Sequence, residues 1–152
     1  MIKINVIVKN KSWLQYIKNP DSYLKTKLKK IQNHKLFIKK NFTLSIKLSD
    51  EKEIKFLNNK FRKKNRSTDV LSFPNQTERK LKKISTLKSE IYLGDIIINY
   101  KKINSASKIL FKNHFNILWI HGLLHLFGYD HQKDHSYKKM NNIEKKLLKI
   151  IN

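Results

Sequence analysis

The run His121-Gly-Leu-Leu-His125-Leu-Phe-Gly128-Tyr-Asp-His131 decides how the rest of the chain is read. An α-helix turns by about 100° per residue, so a step of four returns to the same face one turn on. His121 and His125 therefore leave one side of a helix within reach of a single ion. Gly128, three residues later, can take the left-handed backbone that ends a helix, which folds the chain back and brings His131 toward the same point. Two of the three glycines in the chain lie in this run. Three imidazoles in a chain without cysteine suit zinc or another first-row cation such as nickel. A structural zinc site closes with four protein ligands, so a three-ligand site keeps one position open for chemistry.

Working outward, Ser107 to Phe127 is predicted to be one long, nearly all-apolar helix that carries the first two histidines through the centre of the molecule. Tyr137 to Ile150 follows as an amphipathic helix with Tyr137, Met140, Ile143, Leu147 and Ile150 on its core stripe. Upstream, Ile2, Ile4, Val6 and Val8 alternate as an opening strand. Trp13 to His34 has helical spacing broken at Pro20, which fits two short helices. Strands are expected at Thr43–Leu48, Val70–Phe73 and Glu90–Asn99, with a helix ending at Arg62 and striped by Ile54, Leu57 and Phe61. Residues 75–89 read as a lysine-rich loop, and a short helix is expected near Lys101–Ser105. The sum is an α+β fold: a mixed sheet of about four strands packed with about five or six helices, the metal-bearing helix central, in a single domain over 1–152.

The chain carries 34 Lys plus Arg against 11 acids, a formal charge of +23, which points to a polyanion such as nucleic acid. Only Arg62, Arg66 and Arg79 are arginine, and isoleucine and asparagine abound with lysine, so part of that charge is the imprint of AT-rich coding. The opening apolar stretch is too short for a signal peptide. Asn116, His121 and His125 interrupt the one long apolar run, which excludes a membrane span and makes a cytoplasmic location the expectation.

His121-Gly-x-Leu124-His125-Leu126-x-Gly128-Tyr129-Asp130-His131 resembles the signature of the YbeY endoribonuclease family. Asn59-Lys-Phe61-Arg62 with Thr68-Asp69-Val70-Leu71-Ser72-Phe73-Pro74 is similar to the family's central motif, and Leu93-Gly94-Asp95-Ile96-Ile97-Ile98 to its strand before the metal helix. Ser67 stands where the family commonly has proline, and Asn99 where serine often follows the strand. The resemblance implies a zinc-dependent, single-strand-specific endoribonuclease that matures the 16S ribosomal RNA 3′ end and serves late ribosome quality control, with RNA and ribosomal particles as partners and no organic cofactor. The alternative is a ribosome-assembly factor with a chiefly structural metal. The same histidine spacing frames metzincin proteases, but these carry a glutamate base after the first histidine where this chain has Gly122.

The resemblance makes Arg62 the family's functionally important arginine. Its planar, permanently charged guanidinium can fork onto two phosphate oxygens, although a helix-end cation complementing the dipole is the plainer alternative. Asp130 can steady a ligand or take a proton from water at the site. Asp69 and Asp95 either orient ligand imidazoles through the free ring nitrogen or cap the start of their strands. His114, His135 and the run Arg79-Lys80-Leu81-Lys82-Lys83 read as ordinary polar surface, the last also suited to lie on a phosphate backbone.

Overall fold

A sheet of four strands, β1 (Ile2–Val8), β2 (Phe42–Ser49), β3 (Val70–Pro74) and β4 (Ile91–Asn99), runs in the order β1-β2-β4-β3. Strands β1, β2 and β4 are parallel, and β3 is antiparallel at the edge. Helices α1 (Pro20–Ile31), α2 (Glu51–Arg62), α3 (Glu78–Lys83), α4 (Lys108–Leu126) and α5 (Asp134–Ile151) complete the chain. The computed structural model describes residues 1–37, 41–83 and 90–152.

Alternation sorts the strand residues between two layers. Ile4, Leu44, Ile46, Leu48, Leu93, Ile96 and Ile98 join the main core with α1, α4 and α5, while Leu71 and Ile97 meet Ile54 of α2 on the opposite face. Strand β4 keeps this division by a bulge. Thr43 pairs Tyr92 but Ser45 pairs Asp95, so β4 spends one extra residue there, and Gly94 takes φ 133°. One added residue exchanges the faces of everything that follows, which sends Ile96 and Ile98 to α4 and turns Asp95 away from it.

Helix α4 is buried on nearly all sides, as its composition requires. Ser107 caps it by accepting the Leu110 N–H at 3.1 Å. Its one polar interior residue, Asn116, is bonded through both its oxygen and its nitrogen: its side-chain oxygen accepts from Trp119 Nε1 at 3.1 Å and from the Tyr23 hydroxyl at 3.0 Å, and its amide donates to Asn152 at 2.8 Å. Gly122 sits where α4 crosses the sheet. A Cβ there would meet Ile96 Cγ2 at 2.8 Å and Ser72 Oγ at 3.1 Å, so the position that holds the base in metzincins faces the sheet here and is too tight for a glutamate side chain.

Several boundaries differ from expectation. Residues 75–89 are not all loop: Glu78–Lys83 form α3, because Leu81 has a core position, Thr77 Oγ1 accepts the Lys80 N–H and Glu78 pairs with Lys82 at 2.6 Å. Residues 84–89 lie outside the described ones. The turn after β4 is a single 3-10 turn, Tyr100–Lys102. Two stripes are shifted as well. Phe61, Tyr137 and Ile150 are exposed, while Asn58 and Ile151 are buried in the same helices. A helix of 3.6 residues per turn drifts across a flat neighbour, so the last turn of α2 and the first turn of α5 overhang the core while the end of α5 turns Ile151 rather than Ile150 inward.

The bulge glycine gives a direct test of this architecture. A Cβ on Gly94 would lie 2.1 Å from the Phe73 carbonyl oxygen, backbone against backbone, at a φ that L-residues avoid. Gly94→Ala is expected to lose on the order of 3 kcal/mol. Thermal melts should show a fall of roughly 10 °C. Gly122→Ala should cost less, since about 1 kcal/mol of helix propensity offsets its clash with movable side-chain atoms.

Candidate metal centre

The last turn of α4 builds the site from local rules. His121 and His125 stack one turn apart with ring centroids at 4.6 Å. Helix α4 then ends in a Schellman motif: Tyr129 N–H donates to Leu124 O at 3.1 Å and Gly128 N–H to His125 O at 2.9 Å, with Gly128 at φ 84°. A Cβ on Gly128 would strike Glu78 Cβ at 2.7 Å, so both conformation and space demand glycine. The reversal brings the His131 ring to 5.5 Å from that of His121 and 5.2 Å from that of His125. One nitrogen from each of the three histidines lies within 4.8 Å of the others, a grouping that can hold a metal ion.

The partners of the outer nitrogens show how the rings are aimed. His121 Nδ1 lies 3.0 Å from the carboxylate of Glu144 on α5, and His125 Nδ1 lies 2.8 Å from the Tyr129 carbonyl oxygen. Both outer partners are acceptors, so each ring carries a proton on Nδ1 and turns its Nε2 inward. These two Nε2 atoms are 3.0 Å apart. Nitrogens at that distance are joined either by a proton or by a metal ion. Ligand nitrogens on a tetrahedral ion with bonds of 2.0–2.1 Å sit ~3.3 Å apart, close to the separation of the His121 and His125 nitrogens. Burial pushes the His125 pKa down to about 4 from the ordinary 6.5, helped by the nearby charges of His121, His131 and Arg62 and opposed by the Tyr129 carbonyl. The ring is thus a neutral ligand through the physiological range.

The inward nitrogens open onto a cavity of about 480 Å³ whose walls include Arg62, Thr68, Asp69, Ser72 and Asp130. Arg62 is the last residue of α2 and donates from Nη2 to the Ser72 carbonyl at 3.3 Å. Lys63 in the left-handed region turns the chain, and buried Asn58 pins the loop by donating to the Arg66 carbonyl at 2.8 Å. Asn99 donates to Ser67 Oγ at 2.9 Å and to the Thr68 carbonyl at 3.1 Å. The two positions that depart from the family pattern therefore bond to each other. Asp130 is exposed at the rim, its carboxylate accepting the Gln132 N–H at 3.4 Å.

Of the two strand aspartates, neither bonds an imidazole. Asp69 lines the cavity, but its carboxylate accepts from Val70 N at 2.8 Å and Thr68 Oγ1 at 3.1 Å and so caps the start of β3. Asp95 lies on the α2 face of the sheet, where it accepts from the Tyr92 hydroxyl at 2.6 Å. The carboxylate that orients a histidine is Glu144, which the sequence placed among the polar residues of an amphipathic helix. Its position one residue after Ile143 of the core stripe is a weak signal and carries meaning only once α5 is packed on α4. His114 Nδ1 accepts the Asn104 N–H at 3.0 Å, and His135 is exposed on α5, so both stand apart from the site.

Two outcomes follow. The purified protein should hold about one divalent ion per chain by elemental analysis, lost in His121→Ala, His125→Ala or His131→Ala. Glu144→Gln keeps shape and should weaken affinity about 10–100-fold in a competing-chelator titration. The second concerns the metal-free protein and acid. His125 has a native pKa of about 4 against 6.5 unfolded, so between these values the unfolded chain binds the proton and the native chain does not. That contribution to stability is complete above pH 6.5 and disappears as pH falls through 4, so urea midpoints of the chelated protein should drop across this window and the drop should shrink in His125→Gln.

A family model described as Endoribonuclease YbeY matches residues 7–152. The chain is 42% identical to Endoribonuclease YbeY of Pelagibacter ubique (strain HTCC1062), with 99% of this chain and 97% of that protein covered. It is 36% identical to Endoribonuclease YbeY of Buchnera aphidicola subsp. Schizaphis graminum, over 99% and 92% of the two chains. Among solved structures it resembles the solution structure of TM1509 from Thermotoga maritima, at TM-score 0.56 and 27% identity, covering 98% of this chain and 89% of that one. A histidine frame, an arginine facing it and near full-length likeness to these relatives agree: the chain belongs to the YbeY endoribonuclease family.

Proposed function

We propose that this single-domain protein is a metal-dependent endoribonuclease that cuts single-stranded RNA, with zinc, or nickel in its place, held by His121, His125 and His131. The observation that carries this is a shared cavity: the guanidinium of Arg62 and the ligand nitrogens of the three histidines face the same space of about 480 Å³. When bound, the ion supplies a Lewis acid for a phosphoryl oxygen and for the attacking hydroxyl. Arg62, released from the Ser72 carbonyl, forks onto the scissile phosphate and holds it in line. Asp130 at the rim receives the proton of the nucleophile. Glu144 and the Tyr129 carbonyl hold the imidazoles to one tautomer throughout. A peptidase on the same frame lacks its base, because the residue after His121 is Gly122, packed against Ile96 and Ser72 of the sheet.

Ribosomal RNA, including the 16S 3′ end, and ribosomal particles are the proposed substrates, with a role in late ribosome quality control. This rests on the family likeness, and the charge of +23 supports it by favouring a polyanion. Such a substrate makes the cytoplasm the place of work. Among the described residues no helix is long and apolar enough to cross a membrane.

Arg62→Lys tests the assignment because it retains charge and removes the planar fork. Cleavage of a single-stranded RNA by the purified variant should fall on the order of a hundredfold while metal content and melting temperature stay near the parent's. Parental rates in Arg62→Lys would reduce Arg62 to a helix-end cation. Parental rates in both Arg62→Lys and His125→Ala would mean that the RNase belongs to a contaminant and that the metal is structural in an assembly factor.

A further inference from the structure

The sheet has two edges, and they are treated differently. Strand β3 is short, ends in Pro74 and has its Ser72 carbonyl taken by Arg62. Strand β1 is seven residues long, and Lys3 is its only charged residue. Its backbone directions follow from two bonds: the Met1 carbonyl accepts from Phe42 N and Lys9 N donates to the Leu48 carbonyl. Alternation along a parallel strand then turns the N–H and C=O groups of Ile2, Ile4, Val6 and Val8 outward, away from β2. Among the described residues no hydrogen bond reaches these groups. A long apolar edge with a free row of donors and acceptors is a template for another strand.

That edge does not face open solvent alone. Between β1 and α1 runs a groove of about 740 Å³, with Ile4 and Leu28 at its floor and Lys3, Lys25 and Lys29 on its walls. Asp21 is the one acid lining it. Lys25 pairs with Asp21 at 2.8 Å and Lys3 with Glu90 at 2.6 Å, both exposed pairs that a stronger anion can exchange at little cost. An edge strand beside a helix, with apolar floor and cationic wall, has the ingredients of β-strand addition: backbone bonds supply affinity and alternate side chains enter the groove. RNA fits this row less well, since phosphate oxygens accept but do not donate. A second copy fits less well too, because two chains of +23 repel.

We propose that the β1–α1 groove receives an extended acidic segment of a partner protein, which adds to the sheet as a fifth strand beside β1. The segment is extended, and its groove-facing side chains, at every second position, set an aliphatic one over Ile4 and Leu28 between carboxylates that meet Lys25 and Lys29. This surface is separate from the histidines and works whether or not RNA is the substrate.

The probe is a fluorescein-labelled nonapeptide with glutamate, valine and glutamate at successive groove-facing positions and threonine between them, titrated into the full-length protein by anisotropy and by amide NMR shifts. Binding should move the amides of Ile2, Ile4, Val6 and Val8 and leave RNA cleavage unchanged. Val6→Pro, which removes one outward donor and no bond within the sheet, should weaken binding by roughly tenfold or more. The exposed double change Lys25→Glu with Lys29→Glu should weaken it similarly, and it decides the matter if the proline variant does not fold. The proposal is overturned by absence of binding at millimolar peptide or by undiminished binding to both variants. It is equally overturned if a single-stranded RNA shifts the same amides at equal or higher affinity, or if the protein alone self-associates with its β1 amides protected from exchange.

Discussion

Two imidazole nitrogens held 3.0 Å apart are the constraint on which the rest of this structure depends. At that distance a proton or a metal ion must join them, so the fold has to hold both rings in place. It does so from both sides. The Schellman turn fixes the Tyr129 carbonyl behind His125, and α5 brings Glu144 behind His121. Helix α4, buried along most of its length, fixes the backbone from which both rings project. Gly122 and Gly128 serve the same end by letting α4 press on the sheet and its exit press on α3.

How much of this the sequence disclosed depended on distance along the chain. The three ligands lie within one helix turn and one reversal of each other, so helical periodicity and the habits of glycine are sufficient to assemble them. The strands were legible for the same reason, since alternation is local, and so was the break at Pro20, which sits in the first turn of α1 behind the Asn19 cap. Glu144 was not legible. It reaches His121 across 23 residues through the packing of α5 on α4, and an acidic residue on an amphipathic helix ordinarily faces water. Asp95 misled for a related reason: the bulge at Gly94 exchanges the two faces of β4, and a residue count cannot reveal on which side of the bulge the pairing resumes. The helix α3 was masked by its lysines, whose charge resembles loop composition while Leu81 takes a core position.

The loop after Arg62 shows how a pattern can be kept while its residues change. A proline before Thr68 would stiffen the backbone by restricting φ. Here Ser67 leaves that torsion free, and Asn99, at the end of β4, holds the segment from outside with bonds to Ser67 Oγ and the Thr68 carbonyl. Asn58 does the same from α2 through the Arg66 carbonyl. Stiffness that one residue can supply covalently is supplied by two side-chain amides, and the arginine stays at the mouth of the cavity.

The closeness of the ligands in sequence has a thermodynamic side. An ion that stabilises a protein does so only by the difference between its affinity for the native and the unfolded chain. Histidines spaced four and six residues apart remain near one another after unfolding, so the unfolded chain also competes for the ion and part of the binding free energy cancels. Glu144, 23 residues from His121, is lost to the site on unfolding. For an ion held by these histidines, the affinity that becomes folding stability would pass in part through α5 and its carboxylate, and the ion would tie the last helix to the rest of the protein.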